Sequence, residues 1–100
     1  MFSSDNWNCG IISKIRLLCN IAVDEKDNRL HSKFCNDQWY ATIDTSKISE
    51  LGLCLFVSWY KSRGRTEAMW IMDEQNIPRV PTVSELEKII EHYKEYETIL

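Results

Sequence analysis

The stretch Ile11-Ile12-Ser13-Lys14-Ile15-Arg16-Leu17-Leu18-Cys19-Asn20-Ile21-Ala22-Val23 decides the fold. At a period of two, Ile11, Ile15, Leu17, Cys19, Ile21 and Val23 share one parity, while Lys14, Arg16 and Asn20 take the other; that is the alternation of a half-buried strand. At a period of 3.6, Ile11, Ile12, Ile15, Leu18, Cys19 and Ala22 form a helical stripe instead. The density of β-branched residues favours the strand. Asp24 to Asn28 is then a polar turn, and Arg29 to Cys35 returns as a weak, peripheral strand, so the first half reads as a hairpin.

Further along, Trp39-Tyr40-Ala41-Thr42-Ile43 alternates as a strand with Trp39, Ala41 and Ile43 on one face, and Asp44 to Leu51 reads as a loop or one helical turn. Leu53 to Tyr60 is the most apolar segment, apolar on both parities, which predicts a central strand covered on both faces. Lys61 to Thr66 is a hairpin turn around Gly64, and Glu67 to Met72 is the returning strand. Pro78 and Pro81 keep the next segment extended. Thr82, followed three residues later by Glu85, writes a capping box. From there Leu86, Ile89, Ile90, Tyr93, Tyr96 and Leu100 recur at spacings of three and four, predicting a helix over 83–97. The fold class that follows is α+β: one domain over 1–100, with an irregular segment over 1–10 and an antiparallel sheet of four to five strands carrying a C-terminal helix on one face.

Composition excludes whole classes of function. Leu, Ile, Val and Phe supply 26 of 100 residues, above the roughly 20% below which disorder is favoured. A net charge of −3 with 27% charged residues excludes a histone-like or polybasic protein. Met1 to Gly10 has no basic-then-apolar signal pattern. The longest charge-free apolar run, Leu51 to Tyr60, is half of the roughly 20 residues a membrane-spanning helix needs. A soluble, cytoplasmic chain without membrane contact is expected. Cys9, Cys19, Cys35 and Cys54 form no Cys-x-x-Cys pair and are read as reduced, buried, structural thiols. His31 and Cys35 lie one helical turn apart, but their segment is not helical, so neither zinc nor any other cofactor is expected.

Catalytic templates are missing. There is no Gly-x-Gly-x-x-Gly, no phosphate-binding loop, no Gly-x-Ser-x-Gly and no His-Glu-x-x-His. His31 and His92 are the only imidazoles, and Asp73-Glu74 is a pair of adjacent acids at a strand end; neither constellation departs from a solvated surface. A non-catalytic protein is the expectation. The feature that stands out is Trp59-Tyr60-Lys61-Ser62-Arg63-Gly64-Arg65, where three cations surround a glycine turn beside two large aromatics in an otherwise acidic chain. Trp59, Tyr60, Lys61, Arg63 and Arg65 are therefore the candidate partner-binding residues. A protein partner is the first reading; a single-stranded nucleic acid, paired by the cations and stacked on the rings, is the alternative.

Assembly follows from the apolar segments. Leu53 to Tyr60 and Glu67 to Met72 ask for cover on both faces, yet one helix is evident, so a homodimer is expected to close the second face. Were Ile11 to Val23 a helix, it would cover that face and a monomer would suffice. In size, aromatic richness and lack of catalytic kit, the chain is similar to small accessory or inhibitor proteins of bacteria and their phages.

Overall fold

A computed structural model describes residues 7, 9–48, 50–60, 65–73 and 75–99; at 9, 60, 65–67 and 97–99 the description is of backbone alone. The order is α1 (Cys9–Val23), β1 (Leu30–Cys35), β2 (Gln38–Asp44), β3 (Cys54–Tyr60), β4 (Arg65–Met72), β5 (Pro78–Arg79) and α2 (Val83–His92), followed by a 3-10 segment over Lys94–Ile99. The five strands form one antiparallel sheet in the order β1-β2-β3-β4-β5. The α+β architecture with a C-terminal helix is as the sequence reads.

Two expectations are corrected. Ile11 to Val23 is helix, not strand, and the helix begins at Cys9, inside the segment expected to be irregular. Its stripe of Ile11, Ile15, Leu18, Cys19 and Ala22 is buried, whereas Ser13 and Asn20 are exposed. A face 15 residues long that packs on both β1 and β2 outweighs a modest β preference. The first hairpin is consequently β1 with β2, joined by Asn36 and Asp37 at φ 52 and 65. Two residues in the left-handed region are what a tight primed turn requires, and Asn and Asp tolerate it. The C-terminal helix ends at His92 rather than 97, because Tyr93 leaves helical geometry (φ −106, ψ 25) and the chain tightens into the 3-10 segment.

The entry to α2 is as its sequence signature predicts. The Glu85 N–H donates to Thr82 Oγ1 at 3.2 Å, and the Thr82 N–H donates to Glu85 Oε1 at 2.9 Å. Arg79 adds a bidentate pair to the same carboxylate at 2.7 and 2.5 Å, which holds Glu85 below the usual carboxylate range.

Strand register assigns every side chain to a face. Leu30, Ala41, Ile43, Leu55, Val57, Met69 and Ile71 point one way and are buried at or below 1% exposure. They form a single core with the α1 stripe and with Leu86, Ile89, Ile90 and Tyr93. Both helices therefore lie on the same face, and they touch each other. Ser32 ties β1 to the end of α1 by donating to the Ala22 carbonyl at 3.2 Å; Trp7 ties the start of α1 to α2 by donating to the Pro81 carbonyl at 3.1 Å.

A polar clasp closes the C-terminal end of this layer. Arg29 is bidentate on Asp27 and also donates to Glu95 at 2.6 Å, Tyr96 donates to Asp27 at 2.7 Å, and the Arg29 guanidinium lies 4.7 Å above the Tyr93 ring. These donors, Arg29 foremost, hold the Asp27 carboxyl far below the usual carboxylate range. Tyr93 in turn donates to the Asp44 carbonyl at 2.7 Å. No helix among the described residues is long and apolar enough to cross a membrane.

Candidate functional site

Placing both helices on one side leaves the other side of the sheet without a layer among the described residues. The expectation that a helical Ile11–Val23 would cover the second face is not met. Register lays that open face out in rows across the strands: His31, Thr42, Phe56 and Trp70 in one; Lys33, Tyr40, Ser58 and Ala68 in the next. Phe56 and Trp70 stack, with ring centroids 5.4 Å apart and planes 15° from parallel. Tyr40 is 36% exposed and donates to Gln38 Oε1 at 2.9 Å. Ser58 in the second row is buried and Ala68 half-buried, whereas His31, Lys33 and Tyr40 are exposed. A groove of about 420 Å³ results, lined by His31, Ser32, Lys33, Cys35, Tyr40, Thr42, Phe56 and Trp70.

The residues singled out from the sequence fall in three places. Trp59 is in the core, 5% exposed, on the helix side of the sheet. It stacks on Trp39 at 6.3 Å and 15°, and the Arg16 guanidinium sits 5.8 Å from its ring centre, so its ring is not available to a partner. Successive strand residues point to opposite faces, which is why Trp59 shares a side with Leu55 and Val57. Tyr60 and Arg65 are the last register pair of β3 and β4, beside Gln38 at the Cys35 end of the open face; their side chains are outside the description. Lys61 and Arg63, with Gly64, lie outside the described residues.

Residues that the sequence did not single out make the groove. Phe56, Trp70, Tyr40 and Lys33 are 7 to 37 positions from one another, each in its own strand, and only the pairing register brings them together. The signal was present in β2: its core parity, Trp39-Ala41-Ile43, fixes Tyr40 as outward, and the Tyr40–Ser58 pairing then turns Phe56 outward too.

Among the described residues the candidate acids and bases do not share a cavity, and Glu74 lies outside the description. His31 is at the groove. His92 lies on α2, edge-on to Tyr93 at 5.1 Å, beside a shallow depression lined by Lys47, Ser84, Glu87 and Glu91. Asp73 accepts from the Gln75 and Ile77 N–H groups at 2.8 and 2.9 Å, capping its own turn. Among the described residues no three His, Cys, Asp or Glu gather as a metal would need.

The thiols differ from one another, and the expectation that all are buried is corrected. Cys19 is fully buried in α1, and burial pushes its thiol up to about 12. Cys54 is half-buried, and Cys35 is exposed because it ends an edge strand at a turn. In the native protein Cys35 is expected to react with a thiol reagent within minutes, and Cys19 only on unfolding, since the thiolate is the reacting form. Mass spectrometry of the labelled peptides checks this; prompt labelling of Cys19 would contradict its placement. No family model matches the chain, and neither a curated protein nor a solved structure matches it.

Proposed function

We propose that this chain is a non-catalytic accessory domain that docks a protein partner through the open face of its sheet. The observation that supports this reading is the face that no described helix covers, with Tyr40, Phe56 and Trp70 around a groove of about 420 Å³. Aromatic rings around a hollow, with polar residues at the margin, are the composition of a binding core and its rim. Lys61, Arg63 and Arg65 follow in sequence from the strand that carries Phe56, and they supply positive charge to the partner. Without the partner, two copies pair through the same face as a homodimer. Reduced thiols suit a cytoplasmic setting, and an inhibitor of a larger protein is the role that a small docking domain of this kind fills.

Nucleic acid is the weaker reading. Of the two rings that should stack on bases, Trp59 is inside the core against Trp39, and the side chain of Tyr60 is outside the description. Salt separates the two. An interface centred on apolar groups responds weakly to salt, whereas phosphate contacts make log affinity fall linearly with log salt. Fluorescence anisotropy with short RNA and DNA at two salt concentrations is expected to show weak binding or none. Tight, salt-sensitive binding that is lost in Arg63→Ala with Arg65→Ala would overturn the protein-partner reading.

A further inference from the structure

We propose that the segment docking in this groove is acidic and inserts an apolar side chain between its charges; the proposal rests on the open face being the docking surface. The groove has an apolar wall in the stacked Phe56–Trp70 pair and cationic or N–H-donating groups in Lys33 and His31. Among the described residues no carboxylate lines it, although Asp and Glu outnumber Lys and Arg 15 to 12 in the chain. Asp44, the next residue of that face along β2 after Thr42, is engaged by Ser46, accepting from its N–H at 2.8 Å and its hydroxyl at 2.6 Å. The volume is near the lower end of the roughly 300–1,000 Å³ of ligand clefts, which suits one or two large side chains rather than a helix.

Charge then ranks the occupants. A second copy brings an identical face, so the Lys33 of each protomer adds the same sign to one interface, and the homodimer is weak. An acidic segment meets the same groups with opposite sign and leaves its apolar side chain for Phe56 and Trp70. It displaces the second copy.

The test uses the full chain and three ten-residue synthetic peptides with the same Leu and Phe content, interleaved with Glu, Gln or Lys, together with a ten-residue oligothymidylate. Amide chemical shifts are followed in parallel with light scattering. The Glu peptide is expected to bind at least about tenfold more tightly than the Gln peptide, to shift Lys33, Tyr40 and Thr42, and to lower the scattering mass to the 11.8 kDa of one chain. Lys33→Glu, an exposed change whose folding circular dichroism verifies, should reverse the order of the Glu and Lys peptides. Equal binding of the Glu and Gln peptides overturns the acidic preference and leaves the docking face standing. Silence of the face with all three peptides overturns both, and tighter binding of the oligothymidylate overturns both in favour of a nucleic-acid surface.

Discussion

Gly52→Ala is expected to lower stability by about 3 kcal/mol, from a left-handed backbone and a steric clash together. Gly52 has φ +94, a region where an L side chain is strained. A Cβ built there would stand 2.7 Å from the Met72 carbonyl oxygen and 3.2 Å from the Asp73 Cα. Both neighbours are backbone, so no side chain can rotate away. The same carbonyl accepts the Leu53 N–H at 2.9 Å, and the Thr45 N–H donates to the Leu53 carbonyl at 3.1 Å, so relieving the clash also disturbs the entry of β3. Urea unfolding followed by tryptophan fluorescence measures the loss. A change below about 1 kcal/mol would show that the loop shifts freely and that the close approach is not a constraint.

Ile15→Ala should cost a comparable amount, about 3–4 kcal/mol, because Ile15 is 0% exposed at the centre of the core between α1 and the sheet. Its companion is Ser13→Ala, expected within about 0.5 kcal/mol of the parent because Ser13 is exposed on the outer side of α1. A strand would put Ser13 and Ile15 on one face; a helix puts them on different sides. The pair of denaturation curves therefore reads out the secondary structure of Ile11–Val23 directly, and equal losses at the two positions would return the segment to a strand.

That segment is also where legibility failed, for reasons that can be named. α2 carries its signature in Thr82 and Glu85 and in the apolar stripe that follows them, and β2 carries its own in strict alternation. α1 has no acid in its first turn and no base in its last. It stops without a glycine, with Glu25 taking φ 55 in the turn that follows. Its 3.6-residue stripe had no terminal charge to back it, so its isoleucines spoke for a strand until the sheet supplied a surface to pack on. The groove was hidden for a different reason. In Leu53 to Tyr60 both parities are apolar, so neighbours such as Trp59 and Tyr60 read as one aromatic patch, although a strand sends adjacent side chains to opposite faces. Phe56 and Trp70 become partners only when the register of β3 and β4 is known.

The strand order bears on how quickly the chain finds its structure. Each strand pairs only with those before and after it in sequence, so the sheet can grow one short connection at a time, without holding a long stretch of chain in a closed loop. Among the described residues, side chains also close remote gaps: Trp7 to Pro81 spans 74 positions, Asp27 to Tyr96 69, Arg29 to Glu95 66 and Asp44 to Tyr93 49. Each of these joins the segment after β5 to an earlier part of the chain, and none pairs two strands. Early formation of the hairpins is therefore expected from their short sequence separation, with the docking of the C-terminal segment later.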